Sequence, residues 1–252
     1  MKESSIQWTD ATINFWVGCQ KVSAECKFCY MFRQEARYGR DGSIVRRTGK
    51  ATFNAALKWK EPKRIFTCSM SDFFIEDANP WRDDAWDIIR RTPHHTWLIL
   101  TKRPERIQEC LPDDWGDGYP NVWLGTTIGV QSSFHRAETL SKIPAKVRFI
   151  SAEPLLEPID FLIEKDGVRI IDSFHWVILG GESGNNTGKH RFRPSEIEWY
   201  AKAIADLKSN TNVAVFMKQL GTHLKKEYHL TDKHGGDIDE WPEHLQIREF
   251  PI

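Results

Sequence analysis

The sequence predicts an α/β fold with a parallel β-sheet, arranged as a partial or full β/α barrel. Three observations lead to this prediction: short apolar runs recur along the 252 residues, most of these runs are continuous, and helical patterns fall between them. Strands that helices cover on both faces have continuous rather than alternating apolar residues. Periodicity does not show whether a parallel sheet closes, so a doubly wound open sheet is the alternative.

Each apolar run is a predicted strand that ends in a polar or glycine-rich cluster. The seven predicted strands are Ile13–Val17, Arg64–Cys68, Thr96–Leu100, Val122–Thr127, Val147–Ile150, Trp176–Leu179 and Val213–Met217. The middle strands begin 25 to 32 residues apart. That interval has room for a strand, a loop and a helix, which is the repeating unit of a parallel α/β fold.

Helices and one hairpin are predicted between these strands. The predicted helices are Trp81–Arg91, Pro104–Cys110, Gln131–Ser141 and Ser195–Leu207. Pro104 suits the first turn of a helix. Asp166-Gly167 lies between β-prone flanks, which predicts a hairpin over Ile163–Ile170. No internal repeat or low-complexity linker divides the chain, so a single domain over residues 1–252 is expected.

Composition and charge limit the classes of function. Thirty-five basic side chains balance 35 acidic ones, which argues against a protein that coats nucleic acid through bulk charge, although a local basic patch remains compatible. No apolar stretch follows the first charged residues, and no run approaches the ~18 apolar residues of a membrane helix. These features predict a soluble, cytoplasmic protein with no membrane partner.

Three of the five cysteines, Cys19, Cys26 and Cys29, lie within 11 residues in the spacing C-x6-C-x2-C. Such clustering is typical of a metal site, and an odd cysteine count argues against a set of structural disulfides. Structural zinc and ordinary four-iron clusters take four ligands, so three thiolates on an iron–sulfur cluster leave one iron open for an outside ligand. The alternatives are a zinc site completed by Cys68 or a histidine, and a redox pair of Cys26 and Cys29.

The ending Cys26-Lys27-Phe28-Cys29, placed after the first predicted strand, resembles the radical S-adenosylmethionine superfamily. Within it the sequence is most similar to an uncharacterised, often bacteriophage-associated group with the same three-cysteine loop after a Trp-Thr-Asp opening, here Trp8-Thr9-Asp10. The similarity extends through Thr101-Lys102-Arg103-Pro104, Ser151-Ala152-Glu153-Pro154-Leu155 and Gly180-Gly181-Glu182-Ser183-Gly184.

The sequence also departs from the superfamily in two ways. The commonest cysteine spacing there is C-x3-C-x2-C, with a shorter first gap than the six residues found here. A Gly-Gly-Glu often follows the second strand in the superfamily. This sequence has Cys68–Asp72 at that place, and its Gly180-Gly181-Glu182 follows a much later strand.

The resemblance implies a barrel of the radical S-adenosylmethionine or TIM type, with a [4Fe-4S] cluster on Cys19, Cys26 and Cys29. It implies that the amino and carboxylate groups of S-adenosylmethionine bind the fourth iron. One electron from an external reductant then cleaves the sulfonium to a 5'-deoxyadenosyl radical. Backbone near Phe28 is expected to contact the adenine.

Polar side chains follow successive predicted strands, where the active site of a parallel barrel is built. The residues expected to orient the cofactor are Ser69, Asp72, Thr126, Glu153 and Glu182. Asp72 is alternatively a helix cap, and Arg103 a solvated side chain. A carboxylate as deep as Glu153 needs a partner, and Lys218 is one candidate. The glycines around Gly181 indicate either close backbone approach to a flat ligand or a tight turn without one.

The stretch 33–50 has six basic and two acidic residues and follows the cysteines directly. It predicts an anionic substrate, a nucleotide or a strand of nucleic acid, bound by Arg33, Arg37, Arg46 and Arg47. A second basic group comprises Lys189, His190, Arg191 and Arg193. Solvated surface charge is the plain alternative for both groups.

The competing function is that of a non-catalytic nucleic-acid-binding protein whose fold a zinc ion stabilises, with Trp and Arg side chains as its binding surface.

Overall fold

The computed structural model describes residue 4, residues 6–184 and residues 191–251. The chain divides into two compact units, each assembled from separate stretches. Unit 1 comprises Met1–Val22, Cys29–Thr126 and Lys142–Lys146, and unit 2 comprises Ser23–Phe28, Thr127–Ser141 and Val147–Ile252. The single domain expected from the sequence stays a prediction.

Strands and helices alternate through most of the described chain. The strands are β1 (Ala11–Ile13), β2 (Trp16–Val17), β3 (Arg46–Arg47), β4 (Arg64–Thr67), β5 (Thr96–Thr101), β6 (Val122–Thr127), β7 (Val147–Ala152), β8 (Glu164–Lys165), β9 (Val168–Arg169), β10 (Trp176–Gly180) and β11 (Ala214–Gln219). The α-helices are α1 (Tyr30–Arg37), α2 (Lys50–Phe53), α3 (Asn79–Arg90), α4 (Ile107–Cys110), α5 (His135–Ser141), α6 (Ile197–Asn210) and α7 (Gly221–Glu227). Four strands of unit 1 and three strands of unit 2 pair in parallel within their units, which confirms the predicted α/β class.

Unit 1 contains four parallel strands in the order β1, β4, β5 and β6. Their register pairs Ile13 with Thr67, and Thr101 with Thr126. The carboxyl ends of these strands therefore lie along one edge, so that the loops after β1, β4 and β5 are neighbours. Aromatic side chains fill the core beside them, including Phe15 stacked on Trp97 at 5.6 Å between ring centroids.

The first predicted strand, Ile13–Val17, is not a single strand in the structure. Ile13 ends β1, whereas Trp16 and Val17 form β2 and pair antiparallel with β3. The indole Nε1 of Trp16 donates to the Asp72 carbonyl oxygen at 2.9 Å. Ile13, Phe15 and Trp16 are apolar because they are buried in the core, and a run rich in apolar residues does not reveal where a strand stops.

Unit 2 contains three parallel strands in the order β7, β10 and β11, with Trp176 paired to Phe149 and to Ala214. The predicted hairpin is confirmed, since β8 and β9 pair antiparallel across a two-residue loop. The loop residues Asp166 and Gly167 both have positive φ, 53° and 76°, as a tight hairpin turn requires. The predicted helices are confirmed with shifted ends, and the segment from Pro104 begins as a 3-10 turn before α4.

The glycine-rich loop after β10 packs against its own chain. A Cβ placed on Gly181 would lie 2.2 Å from the carbonyl oxygen of Leu220, and the Gly181 amide donates to the Gln219 carbonyl oxygen at 3.0 Å. At Gly181 the requirement for glycine therefore comes from a tight backbone approach within unit 2. It does not require a flat ligand.

Replacing Gly181 with alanine is expected to lower the free energy of unfolding by about 3 kcal/mol, because backbone atoms cannot move away as a flexible side chain does. Urea denaturation measures the loss. The matched control is Gly49→Ala, where the added Cβ meets no heavy atom within 4 Å, and a change within about 0.5 kcal/mol is expected. Equal stability of the two variants would contradict the packing argument.

In the part of the chain that the structure describes, no helix combines the length and the apolar character needed to cross a bilayer.

Candidate functional site

The segment Gly18–Cys29, called the cysteine segment here, contains the three clustered cysteines. Cys19 and Cys29 belong to unit 1, and Cys26 belongs to unit 2. Cys26 is buried, Cys19 and Cys29 are half-buried, and all five cysteines of the chain are free thiols. Cys29 is the residue that precedes the first turn of α1.

Unit 1 holds the start of the cysteine segment through its backbone. The amide of Gly18 donates to the Met70 carbonyl oxygen at 3.1 Å, and the amide of Cys19 donates to the Gly42 carbonyl oxygen at 2.9 Å. Gly18 has a φ of 102°, and a Cβ there would lie 2.2 Å from the Ile44 carbonyl oxygen. Only glycine fits this position, so the residue before Cys19 is constrained by geometry.

Asp72 and Arg103 form a buried ion pair beside Cys19, with side chains only 6% and 8% exposed and 3.1 Å between Oδ2 and Nη1. The guanidinium of Arg103 also donates to the Gln20 carbonyl oxygen at 2.8 Å and approaches the Cys19 Sγ at 3.9 Å. Burial acts to lower the pKa of Arg103, but the negative charges of Asp72 and of a Cys19 thiolate raise it above its ordinary value. We call Asp72, Arg103, Gln20 and Cys19 the Arg103 cluster.

Both oxygens of the Asp72 carboxylate accept hydrogen bonds. Besides Arg103 it accepts hydrogen bonds from the Thr101 hydroxyl at 2.7 Å, the Lys102 amide at 3.0 Å and the Phe74 amide at 3.0 Å. Asp72, proposed from the sequence as a cofactor contact, thus holds Arg103 against the cysteine segment. From the sequence, Arg103 is one of the polar residues at a strand end, with a solvated side chain as the alternative, and the structure shows that it is buried.

Glu25 is the second buried carboxylate, in unit 2, directly before Cys26. Its side chain is 0% exposed and its Oε1 lies 3.2 Å from Nη1 of Arg136, itself 6% exposed. The same oxygen accepts from the Ser133 hydroxyl at 2.7 Å and the Gly129 amide at 3.2 Å. We call these residues the Glu25 cluster, and sequence reasoning did not single out any of them.

The Glu25 cluster keeps its carboxylate charged. Burial alone would raise the pKa of Glu25, but hydrogen bonds from the Ser23 and Ser133 side chains and the charge of Arg136 lower it to about 2. Oε2 of Glu25 is buried without a hydrogen-bond partner among the described residues. The residue next to Cys26 is therefore an anion that unit 2 holds in place.

Glu182 and Arg193 form a third carboxylate–arginine pair, again within unit 2. The Arg193 amide and Nε donate to Glu182 Oε2 at 2.7 and 2.9 Å, and Nη2 donates to Oε1. Nη1 of Arg193 donates to the Ala24 carbonyl oxygen at 2.8 Å, and the guanidinium lies 5.4 Å from the centroid of the Phe28 ring. This pair therefore holds the stretch of the cysteine segment around Cys26.

The other strand-end candidates also have partners within their own units. The Glu153 carboxylate pairs with Lys218, with side chains 19% and 15% exposed. This is the partner that the sequence suggested for it. The buried Thr126 hydroxyl donates to the Thr101 carbonyl oxygen at 3.0 Å. The half-buried Ser69 hydroxyl lies 3.3 Å from the Asn14 side chain.

The four predicted substrate arginines, all in unit 1, divide into two kinds. Arg46 pairs with the buried Glu35. Arg47 pairs with Asp84 at 3.1 Å and lies 3.8 Å over the Phe53 ring. Arg33 and Arg37 form no ion pair with any described residue. In the second basic group, Lys189 and His190 lie outside the described residues.

The donors required by a three-cysteine iron–sulfur cluster are present as free thiols, and this donor chemistry fits the group. Within the described residues, no set of three or more His, Cys, Asp or Glu side chains has a metal-binding arrangement. Burial raises the pKa of Cys68 to about 12, as expected of a packed thiol. The cluster predicted from the cysteine spacing therefore stays a prediction.

The comparisons with known proteins identify a family but no function. One family, described as protein of unknown function (DUF5131), has a model that matches residues 3–244. No curated protein matches the sequence, and no solved structure does.

Proposed function

The chain belongs to the DUF5131 family of proteins of unknown function, and we propose that it is a radical S-adenosylmethionine enzyme with an anionic substrate. In this proposal the fold is a partial or full β/α barrel of the superfamily's type, and Cys19, Cys26 and Cys29 hold a [4Fe-4S] cluster. The bound cluster and cofactor supply a 5'-deoxyadenosyl radical, made with one electron from an external reductant.

One observation supports the proposal best: three carboxylate–arginine pairs are committed to the cysteine segment. Asp72–Arg103 contacts Gln20 and Cys19, Glu25–Arg136 lies next to Cys26, and Glu182–Arg193 binds the Ala24 carbonyl oxygen. Two of these pairs are buried, and in the third the Arg193 side chain is 22% exposed. Buried ion pairs give little net stability for their desolvation cost. Their use on one short segment is the pattern expected where cysteines must be held in place for a metal group.

We further propose different roles for the strand-end residues. Asp72 and Glu182 act as positioning residues, since each carboxylate is engaged by an arginine that contacts the cysteine segment. Thr126 fixes the neighbouring strand end. Ser69, Glu153 and the backbone near Phe28 remain the proposed contacts for the cofactor.

Metal and sulfide analysis of protein reconstituted without oxygen tests the proposal. We expect brown protein with about four irons and four sulfides per chain, and release of 5'-deoxyadenosine on reduction with S-adenosylmethionine. Cys19→Ala, Cys26→Ala and Cys29→Ala should each lose the iron and the paramagnetic resonance signal of the reduced cluster. Cys110→Ala is the matched control, because Cys110 is buried outside the cysteine segment and should keep both.

Colourless protein that holds a single zinc would contradict the proposal and favour the zinc-stapled nucleic-acid-binding protein. So would cysteine variants that fold normally and lose no iron. Circular dichroism on each variant separates loss of metal from loss of the fold.

A further inference from the structure

Most of the exposed large apolar side chains of the described chain are close in sequence to the three clustered cysteines. Among the described residues six large hydrophobic side chains are exposed: Val22, Tyr30, Tyr38, Ile44, Val168 and Tyr228. The first four lie within residues 22–44, all in unit 1. Scattered single hydrophobic side chains are normal on a protein surface, whereas a local concentration marks an interaction site.

Helix α1 contains one of these exposed residues, Tyr30, and places it on the same face as two arginines. Tyr30, Arg33 and Arg37 are spaced by three and four residues, so their side chains lie along the same side of the helix. Met31 and Glu35, on the other side, are 1% and 3% exposed. The buried face leaves Tyr30 and the two arginines on the outer face, directly after Cys29.

The turn after α1 extends this face with an aromatic ring and another arginine. Tyr38 is 67% exposed, and the guanidinium of Arg40 lies 5.6 Å from its ring centroid. The amides of Tyr38 and Arg40 both donate to the Glu35 carbonyl oxygen at 3.0 Å, which ties the turn to the helix. We call Tyr30, Arg33, Arg37, Tyr38 and Arg40 the α1 surface.

The charge on the α1 surface is positive and unneutralised within the described chain. Arg33, Arg37 and Arg40 form no ion pair with a described residue, whereas the nearby Arg46 and Arg47 are paired with Glu35 and Asp84. The exposed acidic residue of the turn, Asp41, accepts hydrogen bonds from the amide and hydroxyl of Ser43. The α1 surface therefore offers three arginines with no ion-pair partner among the described residues, together with two exposed aromatic rings.

We infer that the α1 surface binds single-stranded nucleic acid, with Arg33, Arg37 and Arg40 on phosphates and a base stacked on Tyr38. Arginines interleaved with exposed aromatic rings are the combination that single strands require, because an unpaired base has a free face for stacking. A duplex would use the arginines but not the ring. The role of this ligand as substrate rests on the proposed function, since α1 starts beside Cys29.

Fluorescence anisotropy with a labelled single strand of roughly 20 nucleotides tests the inference on the full chain, with DNA and RNA versions of one sequence. Alanine at Arg33, Arg37 and Arg40 together should weaken binding more than about tenfold and reduce the slope of log K against log salt by about 2, at ~0.7 per phosphate contact. Tyr38→Ala should weaken binding at least about fivefold, and Tyr38→Phe should restore it.

The matched control removes the same charge elsewhere, as Lys58→Ala, Lys60→Ala and Lys233→Ala combined at exposed positions, and should change binding less than about twofold. The inference is overturned if this control weakens binding as much, if Tyr38→Ala has no effect, or if duplex DNA or poly-glutamate competes as well as a single strand. Both metal-free and reconstituted protein are assayed. Protein that takes up no iron on reconstitution but still binds single strands through these residues would contradict the proposed enzyme and leave the α1 surface assigned.

Discussion

Arg103→Met is expected to lower the free energy of unfolding by about 3–5 kcal/mol, the usual cost of leaving one member of a buried ion pair without its partner. The reason is that the Asp72 side chain, which is 6% exposed, would lose the guanidinium with which it forms an ion pair. The variant should also hold less iron after reconstitution, because the Gln20 carbonyl oxygen and the Cys19 Sγ lose their contact with Arg103. Urea denaturation and iron analysis measure the two effects.

A double variant separates the effect of the unpaired charge from that of the lost contacts, and a variant of an exposed ion pair serves as the control. Adding Asp72→Asn removes the stranded charge, so the double variant should recover part of the stability while iron binding stays impaired. Arg91→Met breaks an exposed pair with Asp87, of side chains 58% and 48% exposed, and should cost less than about 1 kcal/mol. If Arg103→Met costs no more than Arg91→Met, the Arg103 cluster does not hold the cysteine segment as argued.

Glu25→Gln is expected to have a similarly large effect, about 3–5 kcal/mol, since it strands the buried Arg136 guanidinium. Glutamine is the same size as glutamate, so the lost free energy of unfolding measures the removed charge and its hydrogen bonds and not a cavity. Glu61→Gln, at an exposed position, removes one carboxylate without touching the Glu25 cluster and serves as the control. Matched stability of these two variants would show that the pair with Arg136 contributes little.

The Glu25 cluster also predicts a dependence of stability on pH. The pKa of Glu25 is lowered from 4.5 to about 2, so the folded state releases its proton more readily than the unfolded chain. Its contribution is fully present above about pH 4.5 and is lost as the pH falls toward 2, for a total of about 3 kcal/mol. Glu25→Gln should lack this part of the acid-induced loss, and a wild-type acid profile in the variant would contradict the assignment.

The parallel α/β class was predictable because it depends on local patterns. Strands such as β10 are buried on both faces and therefore consist of continuous apolar residues. The Asp166-Gly167 hairpin followed from turn chemistry alone. The sequence did not predict the end of β1 within Ile13–Val17. Trp16 is buried in the core but belongs to an antiparallel pair and not to the parallel strand, and burial alone does not distinguish the two.

Most partners of these polar residues could not be predicted from the sequence. Lys218 was one of several partners that the sequence suggested for Glu153, and the structure pairs the two. A solvated side chain was the alternative for Arg103 at its strand end, and no pattern in the sequence pointed to Glu25, which lies between two cysteines. Both are buried in ion pairs formed with residues 31 and 111 positions away.

By itself, the sequence determined the α/β class, the cysteine spacing and the order of polar strand ends, since each is a pattern of neighbours along the chain. The tertiary structure alone decided which of those polar groups face one another. It assigned Asp72 to Arg103, Glu182 to Arg193 and Gly181 to the Leu220 carbonyl oxygen. The physical reason is that a buried charge or a close backbone approach is satisfied in space, by residues whose separation in sequence has no periodic signal.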